Sequence, residues 1–393
     1  DYRSPPEQGL QYATALPLTL KQAQDYAAAA QQIVQDGNAF LSELDAALAG
    51  LPGTITQAAQ DAATQAMSGV QAQVDTALEI VADIIAMGAG NDTAEGGGGD
   101  DQLIGEGGND TLDGGADDDV LDGGEGTDAL EGGVGDDGLL GGAGADDLDG
   151  GTGDDLLEGG AGGDTMEGGE GIDTMEGGAG GDTFVLEDAS EDIVDGGAGI
   201  DRITFEEAVV LDLGAPAPAP ALAPAAAGGA ARGLQFVSIE IFAGSAAADR
   251  MRGDGAANTF EGRGGNDRLI GRGGADRLRG EAGEDVLSGG LGADILTGGA
   301  GRDTFIFDAA PGKANVDRIT DYNAAADTIV LDRTVFRALV AGDLSAGAFV
   351  SGTAALQADD RIIHNKTTGA LFYDADGSGA GKAVQFAQLT PGL

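Results

Sequence analysis

The chain of 393 residues carries 68 acidic and 19 basic residues, which gives a formal net charge of −49 at neutral pH. A charge this negative argues against nucleic acid or an anionic membrane as a partner, and it favours cations or a basic surface. The absence of cysteine excludes a disulfide framework and thiolate metal sites, and no apolar run is long enough to span a bilayer. High charge with few aromatic residues is typical of disorder unless a strict repeat imposes order.

The N-terminal region, 1–86, is predicted to form an α-helical hairpin. Apolar residues follow helical spacing over about 19–49, and "LPG" at 51–53 marks a turn. The segment "TITQ" at 54–57 has the pattern of a capping box, and a second amphipathic helix is expected to follow it. Two helices of this length cannot bury all of their apolar surface on each other. We therefore expect them either to cap the adjoining β structure or to mediate self-assembly or docking of a protein partner.

From Met87 onward the sequence repeats every nine residues. A first run of eleven nine-residue lines reaches Val185, a second run of seven lines covers 244–306, and a single line lies between them at 196–204. Glycines in the first half of each line permit a tight turn, and the last three residues predict a short strand with the eighth side chain inward. Two lines then form one coil, so that line n lies against line n+2 at a strand spacing of about 4.8 Å.

The sixth position of each line is the candidate metal ligand. It is Asp in every line except the one that carries Asn258. Stacked carboxylates would repel one another without a cation, and their oxygens together with turn carbonyls suit Ca²⁺ better than Mg²⁺. The predicted cofactor is therefore Ca²⁺, in several copies. The predicted ligands are Asp92, Asp101, Asp110, Asp119, Asp128, Asp137, Asp146, Asp155, Asp164, Asp173, Asp182, Asp201, Asp249, Asp267, Asp276, Asp285, Asp294 and Asp303.

The lines have the form G-G-x-G-x-D-x-U-x, in which U is apolar, as in "GGEGTDALE" at 123–131. This pattern resembles the RTX family of secreted bacterial proteins, which carry hemolysin-type calcium-binding nonapeptide repeats. The resemblance implies a mainly β fold with two right-handed parallel β-rolls, 87–192 and 244–307. It implies that each Ca²⁺ lies between lines n and n+2, held by two Asp side chains and turn carbonyls. It also implies export by the type I route, with the signal in a small C-terminal β flank, 308–393.

The segments around the second run have their own patterns. Residues 193–243 are predicted to be connecting strands with an exposed Ala/Pro loop at 215–231. The stretch "LQFVSIEIFAGS" at 234–245 resembles a recurring lead-in to RTX repeats. The segment "LFYDADGSGAGKAVQFAQL" at 371–389 predicts a β-hairpin with a Gly-rich turn, an interpretation favoured over the partial match to an EF-hand loop that begins at Asp374.

The two runs differ in surface charge. The first has 28 acidic residues and no basic one, and its ninth positions are expected to form an acidic ladder of Glu95, Asp113, Glu131, Asp149 and Glu167. Such a face is either a solvated surface that prevents sheet association or a docking face for cations or a basic partner. The second run has eight arginines against ten acids. These arginines either offset charge within the molecule or contact acidic runs of neighbouring molecules in a filament or lattice.

No catalytic motif stands out in the sequence. The chain has a single histidine, His364, which excludes an H-E-x-x-H zinc site, and it lacks both a G-x-S-x-G elbow and a cysteine nucleophile. We predict a non-enzymatic, extracellular or cell-surface structural protein that folds on binding Ca²⁺ after secretion and assembles at the cell surface or in a filament or matrix. The alternatives are a calcium-stabilised binding or accessory subunit of a larger complex, and the RTX tail of a longer secreted enzyme.

Overall fold

The computed structural model describes residues 84–187, 192–213, 221–224 and 235–393, together with the isolated residue Gln65. In this part of the chain the protein is mainly β, a β-solenoid of about 11 turns with almost no helix. The chain divides into two compact units, Asp1–Glu170 and Gly171–Leu393. The predicted N-terminal helical hairpin lies outside the described residues and stays a prediction.

The described part of the first unit contains ten short strands, whose spacing follows the nine-residue repeat. They are β1 (Ile84–Ala86), β2 (Thr93–Gly98), β3 (Gln102–Ile104), β4 (Thr111–Ala116), β5 (Val120–Gly126), β6 (Ala129–Val134), β7 (Gly138–Gly144), β8 (Asp147–Thr152), β9 (Leu156–Gly162) and β10 (Thr165–Glu170). The odd-numbered strands form one parallel sheet and the even-numbered strands form another. Leu112 is paired with Leu130, an offset of two lines. The prediction that line n lies against line n+2 is confirmed.

The core of the first unit is one side chain deep. The inward residues occupy the eighth position of each line and are all buried: Ala94, Leu103, Leu112, Leu121, Leu130, Leu139, Leu148, Leu157 and Met166. The turns between the strands leave no room for side chains that point toward the next coil. Gly126 has a φ of 153°, and a Cβ at this position would overlap the carbonyl oxygen of Gly108 in the neighbouring turn. The glycines therefore allow neighbouring coils to stack closely around the thin core, because a side chain in these turns would overlap the next coil.

The second unit contains twenty-two described strands and one 3₁₀ turn, Ala346–Ala348. The strands are β11 (Thr174–Gly180), β12 (Thr183–Leu186), β13 (Ile193–Asp195), β14 (Ala198–Gly199), β15 (Arg202–Phe205), β16 (Val209–Asp212), β17 (Ala221–Pro224), β18 (Gln235–Val237), β19 (Ile241–Ala243), β20 (Arg250–Arg252), β21 (Thr259–Glu261), β22 (Arg268–Gly273), β23 (Arg277–Ala282), β24 (Val286–Leu291), β25 (Ile295–Ala300), β26 (Thr304–Phe307), β27 (Asp317–Ile319), β28 (Thr328–Leu331), β29 (Phe349–Ser351), β30 (Ile362–Asn365), β31 (Ala370–Tyr373) and β32 (Val384–Gln388).

Parallel pairing in the second unit passes without a break from the end of the first run into the second run. Strand β12 pairs with β15, β15 pairs with β19, and β19 pairs with β21. The connecting strands thus supply coils of their own, so the predicted separation into two rolls is not confirmed. The physical reason is that a ladder needs only strand-compatible backbone and one inward apolar residue per strand, which Ile203 and Phe242 provide.

One part of the predicted Ala/Pro loop is wrong. Strand β17 lies inside 215–231 and pairs in antiparallel fashion with β16. Proline is tolerated at such a position because β17 is the outermost strand of its sheet, where a missing N–H breaks no ladder bond on the free side. The remaining residues of this loop lie outside the part of the chain that the structure describes.

The C-terminal flank has a different kind of core. Strand β31 is antiparallel to both β30 and β32, which confirms the predicted hairpin. Phe386 packs edge to face against Phe307 and Phe336, with ring centroids 5.1 and 5.3 Å apart, and Phe336 contacts Tyr373 in the same way at 5.1 Å. This flank is therefore stabilised by an aromatic cluster rather than by a single row of leucines.

The thin core predicts a large penalty for shortening one inward side chain. Leu130→Ala is expected to lower the free energy of unfolding by about 2–5 kcal/mol, because the stacked coils cannot collapse into the cavity that it leaves. Val134→Ala in the same strand is the matched control, since this side chain is 59% exposed and should change stability little. Chemical unfolding at saturating Ca²⁺ measures both variants. Equal effects would contradict the one-residue-deep core.

Candidate calcium-binding turns

Most sixth-position carboxylates accept a hydrogen bond from the backbone of a neighbouring coil. In the first unit, Oδ1 of Asp110 accepts a hydrogen bond from the amide of Asp92 at 2.8 Å. In the second unit, Oδ1 of Asp267 accepts one from the amide of Asp249 at 2.8 Å. The structure thus brings together the residues that the sequence pairs at lines n and n+2. These bonds hold each carboxylate in a fixed orientation on the turn.

The other carboxylate oxygen, Oδ2, is buried and accepts no hydrogen bond in a large subset of these residues. The subset is Asp110, Asp119, Asp128, Asp137, Asp146, Asp201, Asp267, Asp276, Asp285, Asp294 and Asp303. A buried carboxylate oxygen without a partner is costly, because water has been removed and nothing replaces it. The folded turn therefore requires either a proton or a cation at each Oδ2.

A backbone carbonyl oxygen borders the same space as most of these oxygens. A Cβ built on Gly141 would lie 2.8 Å from Oδ2 of Asp146 and 2.8 Å from the carbonyl oxygen of Gly159. The corresponding point at Gly132 lies 2.6 Å from Oδ2 of Asp137, with the next turn's carbonyl oxygen at 2.7 Å. Glycine at the first position thus leaves open a gap lined by carboxylate and carbonyl oxygens. This donor set is the one that Ca²⁺ prefers.

The sites use few side chains each. In the described ranges, no group of three or more His, Cys, Asp or Glu side chains gathers as a metal centre. The residues present fit Ca²⁺ through stacked aspartates combined with turn carbonyls, because Ca²⁺ accepts six to eight oxygen ligands in flexible geometry. Bound calcium would neutralise the stacked carboxylates.

Most of the predicted ligands occupy equivalent positions, and a few differ. Asp249 is already satisfied, because its Oδ1 accepts from the amide of Val209 and its Oδ2 from the amide of Ser245, both at 2.7 Å. Asp92 is only half-buried. Asn258 keeps the stacking register, with its amide 2.8 Å from Oδ1 of Asp276, but it brings no charge. The remaining predicted ligands with buried side chains are Asp101, Asp155, Asp164, Asp173 and Asp182.

Three aspartates that the repeat pattern did not reveal continue the stacks. Their Oδ1 atoms accept hydrogen bonds at 3.0, 3.2 and 3.1 Å from sixth-position amides, as Asp192 from Asp173, Asp317 from Asp294 and Asp327 from Asp303. The offsets are 19, 23 and 24 residues, so each follows a lengthened turn. A search for the triplet D-x-U without the turn glycines would have found them, since an apolar residue stands two positions after each.

Burial raises the pKa of several stacked carboxyls. It raises the pKa of Asp119 to about 7, partly opposed by the hydrogen bond from Asp101 and reinforced by the charges of Asp137 and Asp101. Burial likewise raises the pKa of Asp267 to about 7. It raises the pKa of Asp317 to about 8, with the charge of Asp294 as the second cause. The raised pKa values indicate that ionised carboxylates are unfavourable in a turn that holds no cation.

The acidic ladder on the first unit is confirmed. Its five rungs are paired in direct register along the even-numbered sheet: Glu95 with Asp113, Asp113 with Glu131, Glu131 with Asp149, and Asp149 with Glu167. The ladder lines a groove of 430 Å³ together with residues of the same strands, such as Thr111 and Ala129. Like charges in register destabilise a sheet, so this face adds to the demand for cations.

Several arginines of the second run form ion pairs within the second unit. Arg272 lies 2.7 Å from Asp212, and Arg279 lies 3.4 Å from Glu261, which also contacts Arg202 closely. These pairs support charge compensation inside the molecule for part of the arginine set. Arg268 and Arg277 are exposed.

Taken together, the fold and the turns define a β-solenoid protein whose stacked turns are built to hold divalent cations. Comparison with protein families gives the particular kind: a model of the RTX calcium-binding nonapeptide repeat, four copies per model, matches residues 88–121, 104–139, 122–157, 158–190, 243–278 and 270–305. The chain therefore carries RTX calcium-binding nonapeptide repeats in multiple copies. No curated protein matches the chain. Among the described residues, none of the helical segments has the length and apolar character needed to cross a membrane.

The raised pKa values predict that acid partly replaces calcium. The folded aspartates have pKa values of about 6–7 at Asp137 and Asp119, against about 3.9 in an unfolded chain. The calcium-free folded state therefore binds more protons, and its stability falls as pH rises from about 4 to 7. In chelator, the β signal in circular dichroism should increase from pH 8 to pH 5. A calcium-free β signal that weakens on acidification would contradict this linkage.

Proposed function

We propose that the protein is a non-enzymatic, secreted calcium-binding protein whose solenoid folds when Ca²⁺ binds. The observation that carries this proposal is the series of buried Oδ2 atoms that accept no hydrogen bond and border turn carbonyls. The RTX repeats found in both runs support calcium as the cation. Calcium-dependent folding follows because the cation binds only the folded turns and so stabilises them by mass action.

The chain's own charge supplies the other half of the mechanism. With a net charge of −49, the cation-free chain repels itself, and each carboxylate buried on folding adds a desolvation penalty. In a calcium-poor cytosol this favours the unfolded state, which suits export through a narrow channel. Outside the cell, calcium near the about 10⁻⁴–10⁻³ M range of extracellular modules would favour the folded state. RTX repeats are typical of type I secreted proteins, which supports export by that route with the signal in 308–393.

Within this proposal the protein serves a structural role and assembles with copies of itself. Two charged surfaces support assembly. The acidic ladder of the first unit borders an open groove, and the second unit exposes Arg268 on β22 and Arg277 on β23, which belong to different sheets. Contacts between unlike surfaces of neighbouring molecules propagate into filaments or lattices. The competing function is an accessory subunit of a larger complex.

The first test compares two adjacent aspartates. Asp146→Ala removes a buried carboxylate whose Oδ2 has no hydrogen bond, and it should lower the number of bound ions by about one to two and raise the calcium midpoint of folding. Asp147→Ala removes the neighbouring exposed carboxylate and is the matched control. Calorimetry with Ca²⁺ and circular dichroism in parallel give stoichiometry and midpoint. Identical behaviour of the two variants would exclude the stacked aspartates as ligands.

The second test addresses assembly. The double variant Arg268→Glu/Arg277→Glu should abolish filaments or lattices in electron micrographs while calcium binding is retained, because it reverses the charge of the exposed cations. Arg302→Glu, which changes another exposed arginine of the same unit, serves as the control. Unchanged assembly of the double variant would reject this interface. Discrete particles that contain a second polypeptide would favour the accessory-subunit function instead.

A further inference from the structure

A cavity lies in the C-terminal flank, and none of the predicted calcium ligands is among its lining residues. It has a volume of 670 Å³ and belongs entirely to the second unit. Its walls come mainly from strands β28 to β32 and the segment 339–344. Small-molecule sites commonly measure about 300–1,000 Å³ and are mostly apolar, with a few polar groups that fix orientation. The cavity matches this description, and Phe386 of the aromatic cluster forms part of its wall.

The rim of this cavity gathers exposed apolar side chains. Thirteen large hydrophobic residues of the described ranges are exposed, and five of them line the cavity: Val330, Val340, Leu344, Phe349 and Leu393. Val340 is 86% exposed, although Leu339 beside it is half-buried. Single exposed apolar residues are ordinary, but a contiguous group around a concave surface marks a site for an apolar ligand. The apolar lining therefore indicates a hydrocarbon ligand.

Two cationic side chains line the cavity. Arg333 and Lys366 lie in its wall, and Asp343 is the one acidic side chain among its lining residues. This balance differs sharply from that of the whole chain, which has more than three acidic residues for each basic one. A local excess of cations in an acidic protein selects for a ligand with a negative head group.

His364 supplies an independent polar group in the same place. It lines the cavity, its side chain is only 6% exposed, and its Nε2 has no hydrogen-bond partner. Strand β30 holds it in register with Ser351 of β29, which lines the cavity too. A buried ring nitrogen without a partner is costly, and a ligand oxygen in the cavity would satisfy it.

We propose that this cavity binds the acyl chain of an amphipathic anion. The hydrocarbon chain contacts the apolar lining, including Val340 and Phe349, and the anionic head lies toward Arg333, Lys366 and His364. The ligand class is thus a fatty acid or the acyl chain of an anionic lipid, which share this chemistry. Charge complementarity and the unsatisfied Nε2 favour such an anion over a neutral hydrocarbon.

Decanoate at micromolar concentration is a suitable probe, because its calcium salt then stays dissolved. Titration of the full chain at saturating Ca²⁺, followed by calorimetry, should show saturable binding of about one decanoate per chain. Val340→Asp should weaken this binding by about tenfold or more, since it places a charge in the apolar rim. Val134→Asp is the matched control, because this valine is also exposed and is not among the residues that line the cavity.

A second variant tests the polar end. Lys366→Glu should weaken decanoate binding several-fold and leave the binding of decanol unchanged, because only the acid carries a charge. Sedimentation with phosphatidylglycerol vesicles distinguishes the sources: Val340-dependent binding to vesicles alone identifies a membrane lipid, and binding of free decanoate identifies a fatty acid. Absence of saturable binding in both arms, or equal binding by Val340→Asp and the unaltered chain, would overturn the proposal. Circular dichroism at saturating Ca²⁺ verifies that each variant is folded.

Discussion

The buried carboxylate at the sixth position of most lines is the constraint on which the repeats depend. One of its oxygens is fixed by an amide of a neighbouring coil, and the other is left in a dry gap beside a turn carbonyl. In water such an oxygen would be solvated, so the folded arrangement is unfavourable until a positive charge enters the gap. Every other feature of the repeat serves this arrangement, from the first-position glycine to the single inward leucine.

The repeats and the C-terminal flank are stabilised by different kinds of buried side chain. A repeat line buries one aliphatic side chain and one carboxylate, so its apolar burial alone is small. The flank buries Phe336 and Phe386 in mutual edge-to-face contact, although Asp317 at its start still continues the carboxylate stack. The same chain therefore combines coils with one inward side chain per strand and a flank with an aromatic core.

The sequence predicted the repeat geometry well, because a strict period of nine fixes each residue's neighbours by counting. The pairing of lines, the inward leucines and the acidic ladder all followed from that period. The nine-residue period did not identify Asp192, Asp317 and Asp327, because insertions lengthen their turns and remove the glycines. The continuous pairing through 241–243 was not predicted, because this strand lacks the repeat motif. The cavity near His364 could not be predicted, since residues far apart in sequence form its walls.

The pairing of each line with the second line along has a consequence for how such a chain can change in length. Consecutive lines alternate between two sheets, as Leu112 and Leu121 do. Gain or loss of one line would exchange the sheets for everything downstream, so the charges of the acidic ladder would be split between two faces. Gain or loss of two lines preserves every face. The number of lines before any functional surface can therefore change only in steps of two. Such a chain can become longer or shorter during evolution, but an even number must separate its lengths when counted in lines.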